Sequence, residues 1–284
     1  MADFVGPVVA GSVTHHFIML AACLCFRDSA PYLQEWLLFH WVQGIRRFYL
    51  YDNGSTDDYR QILQPWIDAS IVRLRLWPGL AQQQLIYDHC LSTAGREVDW
   101  LAFIDDDEFL FNPVGRPLPD ILKTFQEHAG VAAAWILYGS SGHLQRNEDW
   151  IIDRFVRRAP NPDVHVKCIV QPGLVTRSKV IGHMFEARPG FHIVDEHGRP
   201  LAEPLTSAST ITQLRINHYL VKSWDEFRPR RTRPQANTGQ PTPHILQQWQ
   251  KWDLTWNEVE DPVARQFIPT MQRTARQLST GRLG

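Results

Sequence analysis

Residues 100–111 read WLAFIDDDEFLF: an apolar run, Trp100 to Ile104, followed at once by Asp105, Asp106, Asp107 and Glu108. The run has the composition of a buried strand. Carboxylates this close together repel one another and resist burial, so the arrangement is stable only where a cation, a donor network or open water faces it. A divalent metal is the expected counter-charge. If the chain stays extended beyond Ile104, alternate residues share a face, which puts Asp105 and Asp107 on one side and turns Asp106 away. Two carboxylates on one side form a hard-oxygen site suited to Mg²⁺ or Mn²⁺, with positions left open for phosphate oxygens. A solvated acidic turn is the alternative.

Working outward, strand-like and helix-like segments alternate. FIMLAACLCF (17–26) is a strand, and SAPYLQEWLLFHWVQG (29–44) is a helix entered at Ser29 and Pro31 and ended by Gly44. RRFYLYD leads into the polar turn around NGSTDD (53–58), a short helix follows that Pro65 stops, IVRLRLW (71–77) is a third strand, and LAQQQLIYDHCLSTA (80–94) is a helix. This spacing predicts an α/β fold with a mostly parallel central sheet flanked by helices. In such sheets ligands sit outside the carboxyl ends of the strands. Both acidic turns, 52–58 and 105–108, lie there. Asp52 is a candidate for hydrogen bonds to a nucleoside, with an ordinary Asx turn as the plainer reading.

Farther along, PLPDILKTFQEH (117–128) reads as a helix and VAAAWILYGSSGH (131–143) as a strand running into a turn. In RINHYLVKSWDEF (215–227), His218 and Lys222 share a face in either a helix or a strand, so an imidazole on a metal and an ammonium on a phosphate form a coherent pair. The patches GSSGH (139–143) and NEDW (147–150) offer places for an acceptor and a general base. The stretch FRPRRTRPQANTG (227–239) is basic, proline-rich and weakly hydrophobic. It is expected to be a mobile segment that closes over the site and brings arginines to phosphate, ahead of a terminal helix around HILQQWQKW (244–252).

A formal net charge of -1 in 284 residues lacks the basic excess of a nucleic-acid binder. Eleven tryptophans exceed ordinary usage, and aromatic rings both fill cores and cover the apolar faces of sugars. The four cysteines, Cys23, Cys25, Cys90 and Cys168, form no CxxC pair and read as reduced core residues of a cytoplasmic protein. The 17–26 run is far short of the ~20 residues of a membrane span, so any membrane contact is expected to be peripheral.

Four segments in order, YLQEWLLFHWVQGIRRFYLYDNGSTDD (32–58), WLAFIDDDEFL (100–110), WILYGSSGH (135–143) and INHYLVKSWDEF (216–227), resemble glycosyltransferase family 92, within the family-2-like GT-A group, over roughly residues 18–227. The resemblance implies a GT-A, Rossmann-like nucleotide-sugar-binding fold. It also implies metal-dependent, inverting transfer of a sugar, galactose from a UDP-linked donor, to a hydroxyl of a glycan or glycoconjugate. By position, Asp52 would contact the nucleoside, Asp105 the ribose or metal, Asp107 and His218 the metal, and Lys222 a phosphate. Arg27-Asp28 replaces the family's usual Asn-Glu, which puts the first loop's contacts outside the pattern. The general base is expected at Asp149 or its neighbour Glu148, with Asp195, Glu196 and Glu226 as further carboxylates. The expected organisation is an N-terminal extension (1–15), a GT-A domain (16–227), and a lid segment with a C-terminal helix (228–284). Of the rival readings, a nucleotidyltransferase would bring a glycine- and basic-rich phosphate loop where this chain has CLCFRDSA (23–30). A silent carbohydrate-binding protein would not need the Asp105, Asp107 and His218 set.

Overall fold

The computed structural model describes residues 17–180, 182–205, 210–233, 240 and 242–283. The expected extension over 1–15 and residues 234–239 of the basic segment lie outside the described residues.

Seven buried residues form β1 (Leu20–Phe26). A strand this uniformly apolar needs cover on both faces, and the next elements supply it: α1 (Ala30–Val42), β2 (Arg47–Asp52), α2 (Tyr59–Asp68), β3 (Val72–Leu76), α3 (Gln83–Ala94) and β4 (Trp100–Phe103). β1 pairs in parallel with β2 and β4, and β2 with β3. Gly44, just past α1, has φ +101 and a Cβ there would come within 2.6 Å of Pro119 Cδ, so only glycine makes this exit. Pro65 does not end α2 as expected. It lies inside the helix, whose last turn is held by buried Trp66.

The expected strand around Asp105 also stops early. β4 ends at Phe103, Ile104–Asp107 form a turn, and the chain crosses to start β5 (Glu108–Phe111) at the far edge of the sheet. After α4 (Leu118–Leu122) come β6 (Gly130–Leu137), α5 (Ile151–Arg154), β7 (Arg157–Arg158), β8 (Val166–Val170), the hairpin of β9 (Val175–Val180) and β10 (Met184–Ala187), β11 (Ile193–Val194) and β12 (Arg215–His218). Among the described residues the main sheet runs β3-β2-β1-β4-β8-β6-β12-β5, with β11 beside β6. β8 is antiparallel to both β4 and β6, and β12 is parallel to β6. The carboxyl ends Phe26, Asp52, Phe103, Leu137 and His218 therefore share one edge, where antiparallel β5 begins. The α/β class and the mostly parallel sheet flanked by helices are as expected.

One core lies between the sheet and α1, α2 and α8 (Ile268–Ser279), built on Trp36, Phe39, Trp66, Phe109 and Met271. The opposite face packs Ile86, Tyr87 and Cys90 of α3 against Phe103 and Phe185. All four cysteines are buried and free. A third cluster, Val221, Phe227 and Trp249, joins α6 (Trp224–Thr232) to α7 (Ile245–Thr255), and β13 (Val259–Glu260) then pairs with β7. Among the described residues no helix is long and apolar enough to cross a membrane.

The first part of the basic stretch is helical: Arg228, Arg230 and Arg231 lie in α6. Its start is a capping box: Ser223 Oγ donates to Glu226 Oε2 at 2.5 Å and Ser223 N to the same oxygen at 3.3 Å. Composition alone misses this anchor, because it weighs the arginines and prolines and not the single cap and the buried Phe227.

Candidate active site

β12 and β5 pair with His218 opposite Glu108, which sets the acidic turn beside the histidine. Tyr219 N donates to Asp107 O at 2.8 Å, and His218 Nε2 lies 3.7 Å from Asp107 Oδ1. Lys222 Nζ is 4.0 Å from Asp107 Oδ2. Asp107, His218 and Lys222 thus lie side by side.

The facing of the three aspartates is different from that expected. Asp105 is turned to α3 and β8: its Oδ1 accepts from Tyr87 OH and Gln83 Nε2, each at 3.0 Å, and its Oδ2 accepts from Lys167 Nζ at 2.9 Å. Asp106 is not turned away. Its Oδ2 accepts from Ser29 Oγ, and its Oδ1 accepts from Arg230 Nη2 at 2.7 Å; the same nitrogen lies 3.2 Å from Asp107 Oδ2. Alternation along a strand does not apply, because these residues form a turn. Among the described residues no group of three or more His, Cys, Asp or Glu side chains is disposed to hold a metal ion.

Burial pushes the Asp107 carboxyl up, but Arg230, Lys222 and His218 overcome it and leave it well below the usual range. Asp105 is likewise lowered, with Lys167 opposing the burial. Glu108 goes the other way: burial raises it well above the usual range, Lys167 opposes, and Asp105 and Asp107 add to the rise. Burial also lowers the Lys222 ammonium to about 8, although Asp107 supports its charge.

Beside the turn is a cavity of about 200 Å³, lined by Asp105, Asp106, Asp107 and His218 together with Arg27, Arg230, Arg231 and Arg233. Several of its polar atoms are buried with no hydrogen-bond partner: Arg27 Nε, Arg230 Nη1, Arg231 Nε, Asp107 Oδ2 and His218 Nδ1, with Lys222 Nζ nearby. Arg27-Asp28, outside the family pattern, is integral here. Asp28 Oδ1 accepts from Thr56 N at 2.7 Å and its Oδ2 from Arg233 Nη1 at 2.9 Å, tying the first loop to the second and to the end of α6.

Asp52 lies outside this cavity, in a hollow with Ser55, Tyr59 and Arg60. Its Oδ1 accepts from Ser55 N at 2.7 Å and its Oδ2 from Tyr59 OH at 2.8 Å. Glu148 and Asp149 do not join the aspartates. They line a neighbouring hollow with Tyr32, Glu35 and Arg154, the Glu148 side chain 93% exposed and Asp149 accepting from Asn147 Nδ2 at 2.9 Å. Tyr32 connects the two places, its ring 4.8 Å from Lys222 Nζ. Of the other carboxylates, Asp195 pairs with Arg199 and Glu196 accepts the backbone N–H groups of Thr212, Gln213 and Leu214. Glu226 is taken by Arg154.

Sequence reasoning missed Lys167, Gln83, Tyr87 and Ser29 as partners of the acidic turn, and Arg230 as a partly buried counter-charge to Asp106 and Asp107. For Arg230 a signal existed: the Ser223-x-x-Glu226 pattern announces a helix that carries it inward.

Among known proteins, a glycosyltransferase family 92 protein of Ricinus communis is 28% identical over 229 residues, covering 78% of this chain and 38% of that relative. One of Oryza sativa subsp. japonica is 28% identical over 216 residues, covering 74% and 34%. A galactan beta-1,4-galactosyltransferase of Arabidopsis thaliana is 29% identical over 121 residues, covering 39% and 24%. The chain spans little more than a third of the length of the first two relatives. Of solved structures, residues 1–349 of S. aureus TarS align with a TM-score of 0.39 at 16% identity, over 55% of this chain and 48% of that one. Glucosyl-3-phosphoglycerate synthase from Mycobacterium tuberculosis, in complex with Mn²⁺ and UDP, aligns with a TM-score of 0.27 at 17% identity, over 42% and 44%. The family model for glycosyltransferase family 92 matches residues 18–248, well over half of the sequence, and the chain belongs to that family.

Proposed function

We propose that the chain transfers a sugar from a nucleotide sugar to a hydroxyl of a glycan or glycoconjugate, with Mn²⁺ or Mg²⁺ and with inversion at the anomeric carbon. The observation that carries this reading is the cavity where the acidic turn faces buried guanidinium and ammonium donors that lack hydrogen-bond partners. A diphosphate supplies acceptors for those donors, and a divalent ion supplies counter-charge for the carboxylates. Asp107 and His218 fit such an ion: Asp107 Oδ2 accepts no hydrogen bond, although Arg230 Nη2 approaches it to 3.2 Å, and His218 Nε2 stands 3.7 Å from Oδ1. Mg²⁺-like ions need only one or two carboxylates when phosphates and waters complete the shell. When bound, the ion offsets negative charge on the leaving diphosphate.

The chain's own residues do the rest. Lys222, Arg230 and Arg231 hydrogen-bond phosphate oxygens, Lys167 holds Asp105 toward the ribose, and Asp52 steadies the 52–57 loop against the nucleoside. The acceptor oxygen bonds to the anomeric carbon as the bond to the diphosphate oxygen breaks, and the electron pair leaves with the diphosphate. The acceptor proton goes to a carboxylate, for which Asp149 is proposed, with Glu148 beside it, in the hollow across Tyr32. A UDP-linked donor is retained from the family resemblance, and galactose is favoured by the name of the Arabidopsis relative.

The test is nucleoside diphosphate release from a panel of nucleotide sugars, with Mn²⁺ and with chelator, and the anomeric configuration of the product by NMR. Mn²⁺-dependent UDP release from one sugar is expected. Pyrophosphate release from nucleoside triphosphates would instead favour a nucleotidyltransferase, and glycan binding without any release a carbohydrate-binding protein.

A further inference from the structure

We propose that Arg230 is an exchangeable counter-ion of the donor site: in the free protein it neutralises Asp106 and Asp107, and on loading it passes to the incoming diphosphate as a divalent cation takes its place. The proposal rests on the donor-site reading above and adds to it an order of events, in which metal and nucleotide bind well together and poorly apart.

The geometry is that of a bridge. One guanidinium nitrogen reaches Asp106 Oδ1 at 2.7 Å and Asp107 Oδ2 at 3.2 Å, whereas Lys222 stands off at 4.0 Å. Asp107 Oδ2 cannot serve a dication and this guanidinium together, because like charges at that separation exclude each other. The carboxylates of Asp105, Asp106 and Asp107 are met by Lys167, Lys222 and Arg230, and Arg27 and Arg231 add further positive charge to the same cavity. A dication alone would add uncompensated positive charge there, and a diphosphate alone would find Arg230 still engaged by Asp106 and Asp107; together, each supplies what the other lacks.

Arg230 also has somewhere to go. Its Nη1 has no partner, and neither do Arg231 Nε and Arg27 Nε in the same cavity, so a ligand rich in acceptors meets donors already waiting. The helix that carries it need not move. α6 is held at its start by the Ser223–Glu226 box and by Arg154, so the exchange is a rotation of one long side chain. Asp106 stays in place when the guanidinium leaves, because Ser29 Oγ donates to its other oxygen.

The test measures Mn²⁺ binding to the full chain by EPR of the free ion, first alone and then with UDP. Arg230→Gln is expected to bind Mn²⁺ alone about 10-fold more tightly than the unsubstituted chain, and to bind UDP alone about 10-fold more weakly, so that the coupling between the two ligands shrinks. Arg230→Lys retains the charge in the same place but cannot bridge two carboxylates, and should fall between. Circular dichroism and thermal melting establish that each variant is folded, and Arg230→Lys decides the matter if Arg230→Gln is not. Mn²⁺ affinity that is unchanged or weaker in a folded variant overturns the exchange, even if UDP release proceeds normally. Absence of UDP release from every donor overturns the transferase reading and leaves the Mn²⁺ comparison to stand on its own.

Discussion

Arg154 and Glu226 meet end to end through two hydrogen bonds, Nη1 to Oε2 at 2.8 Å and Nη2 to Oε1 at 2.9 Å, where neither side chain reaches solvent appreciably. Glu226 also takes the Ser223 hydroxyl, so one carboxylate caps α6 and fastens it to α5. Removing one member leaves a buried charge without its partner. Arg154→Met is therefore expected to destabilise the chain by about 3–5 kcal/mol in urea unfolding, with much of the loss recovered in Arg154→Met/Glu226→Gln. A single variant within ~1 kcal/mol of the unsubstituted chain would show that α6 is held elsewhere.

Asp107→Ala removes the carboxylate that Arg230, Lys222 and His218 all approach. The rate of sugar transfer should drop roughly 10²–10³-fold, as for loss of one preorganised electrostatic group. Asp106→Ala, harmless if the side chain faced away, should instead lower the KM for the nucleotide sugar more than it changes kcat, since without Asp106 less holds Arg230 back from the diphosphate. Steady-state UDP release separates the two; an Asp106 variant with both constants unchanged would deny that contact a role.

His40 carries a pH dependence. Its Nε2 accepts from Leu110 N at 3.1 Å, so its Nδ1 donates to Trp36 O at 2.9 Å, and the ring must be neutral. Burial lowers its pKa from 6.5 to about 3, the Trp36 hydrogen bond opposing. The unfolded chain then binds the extra proton between those values, so stability falls as pH drops from 6.5 towards 3, by up to about 1.4 kcal/mol per unit. Urea unfolding between pH 6.5 and 4.5 should show this slope, and His40→Gln should flatten it; equal slopes would place the titrating group elsewhere.

Gly44→Ala tests the exit from α1. With φ at +101 and a Cβ only 2.6 Å from Pro119 Cδ, the variant must shift the first turn of α4. A loss of about 1–3 kcal/mol is expected by thermal unfolding, with no change in nucleotide affinity. A variant as stable as the parent would mean that Pro117–Pro119 yields freely.

The sequence by itself determined the α/β alternation, the acidic turn at a strand's carboxyl end and the closeness of His218 and Lys222 to each other. Those features depend on short-range geometry: an apolar run long enough for a strand, a turn after it, and a four-residue spacing that keeps two side chains on one face. Tertiary structure decided which charges answer the carboxylates. Once the chain leaves β4 in a turn, Asp105 goes to Lys167, and Asp106 goes to Arg230, 124 positions away in the sequence. Glu148 and Asp149 fall in a separate hollow, whose wall includes Tyr32, the residue whose ring meets Lys222. Pairings of that range are set by how β5 registers with β12 and how α6 docks on α5, and no local pattern of residues encodes either.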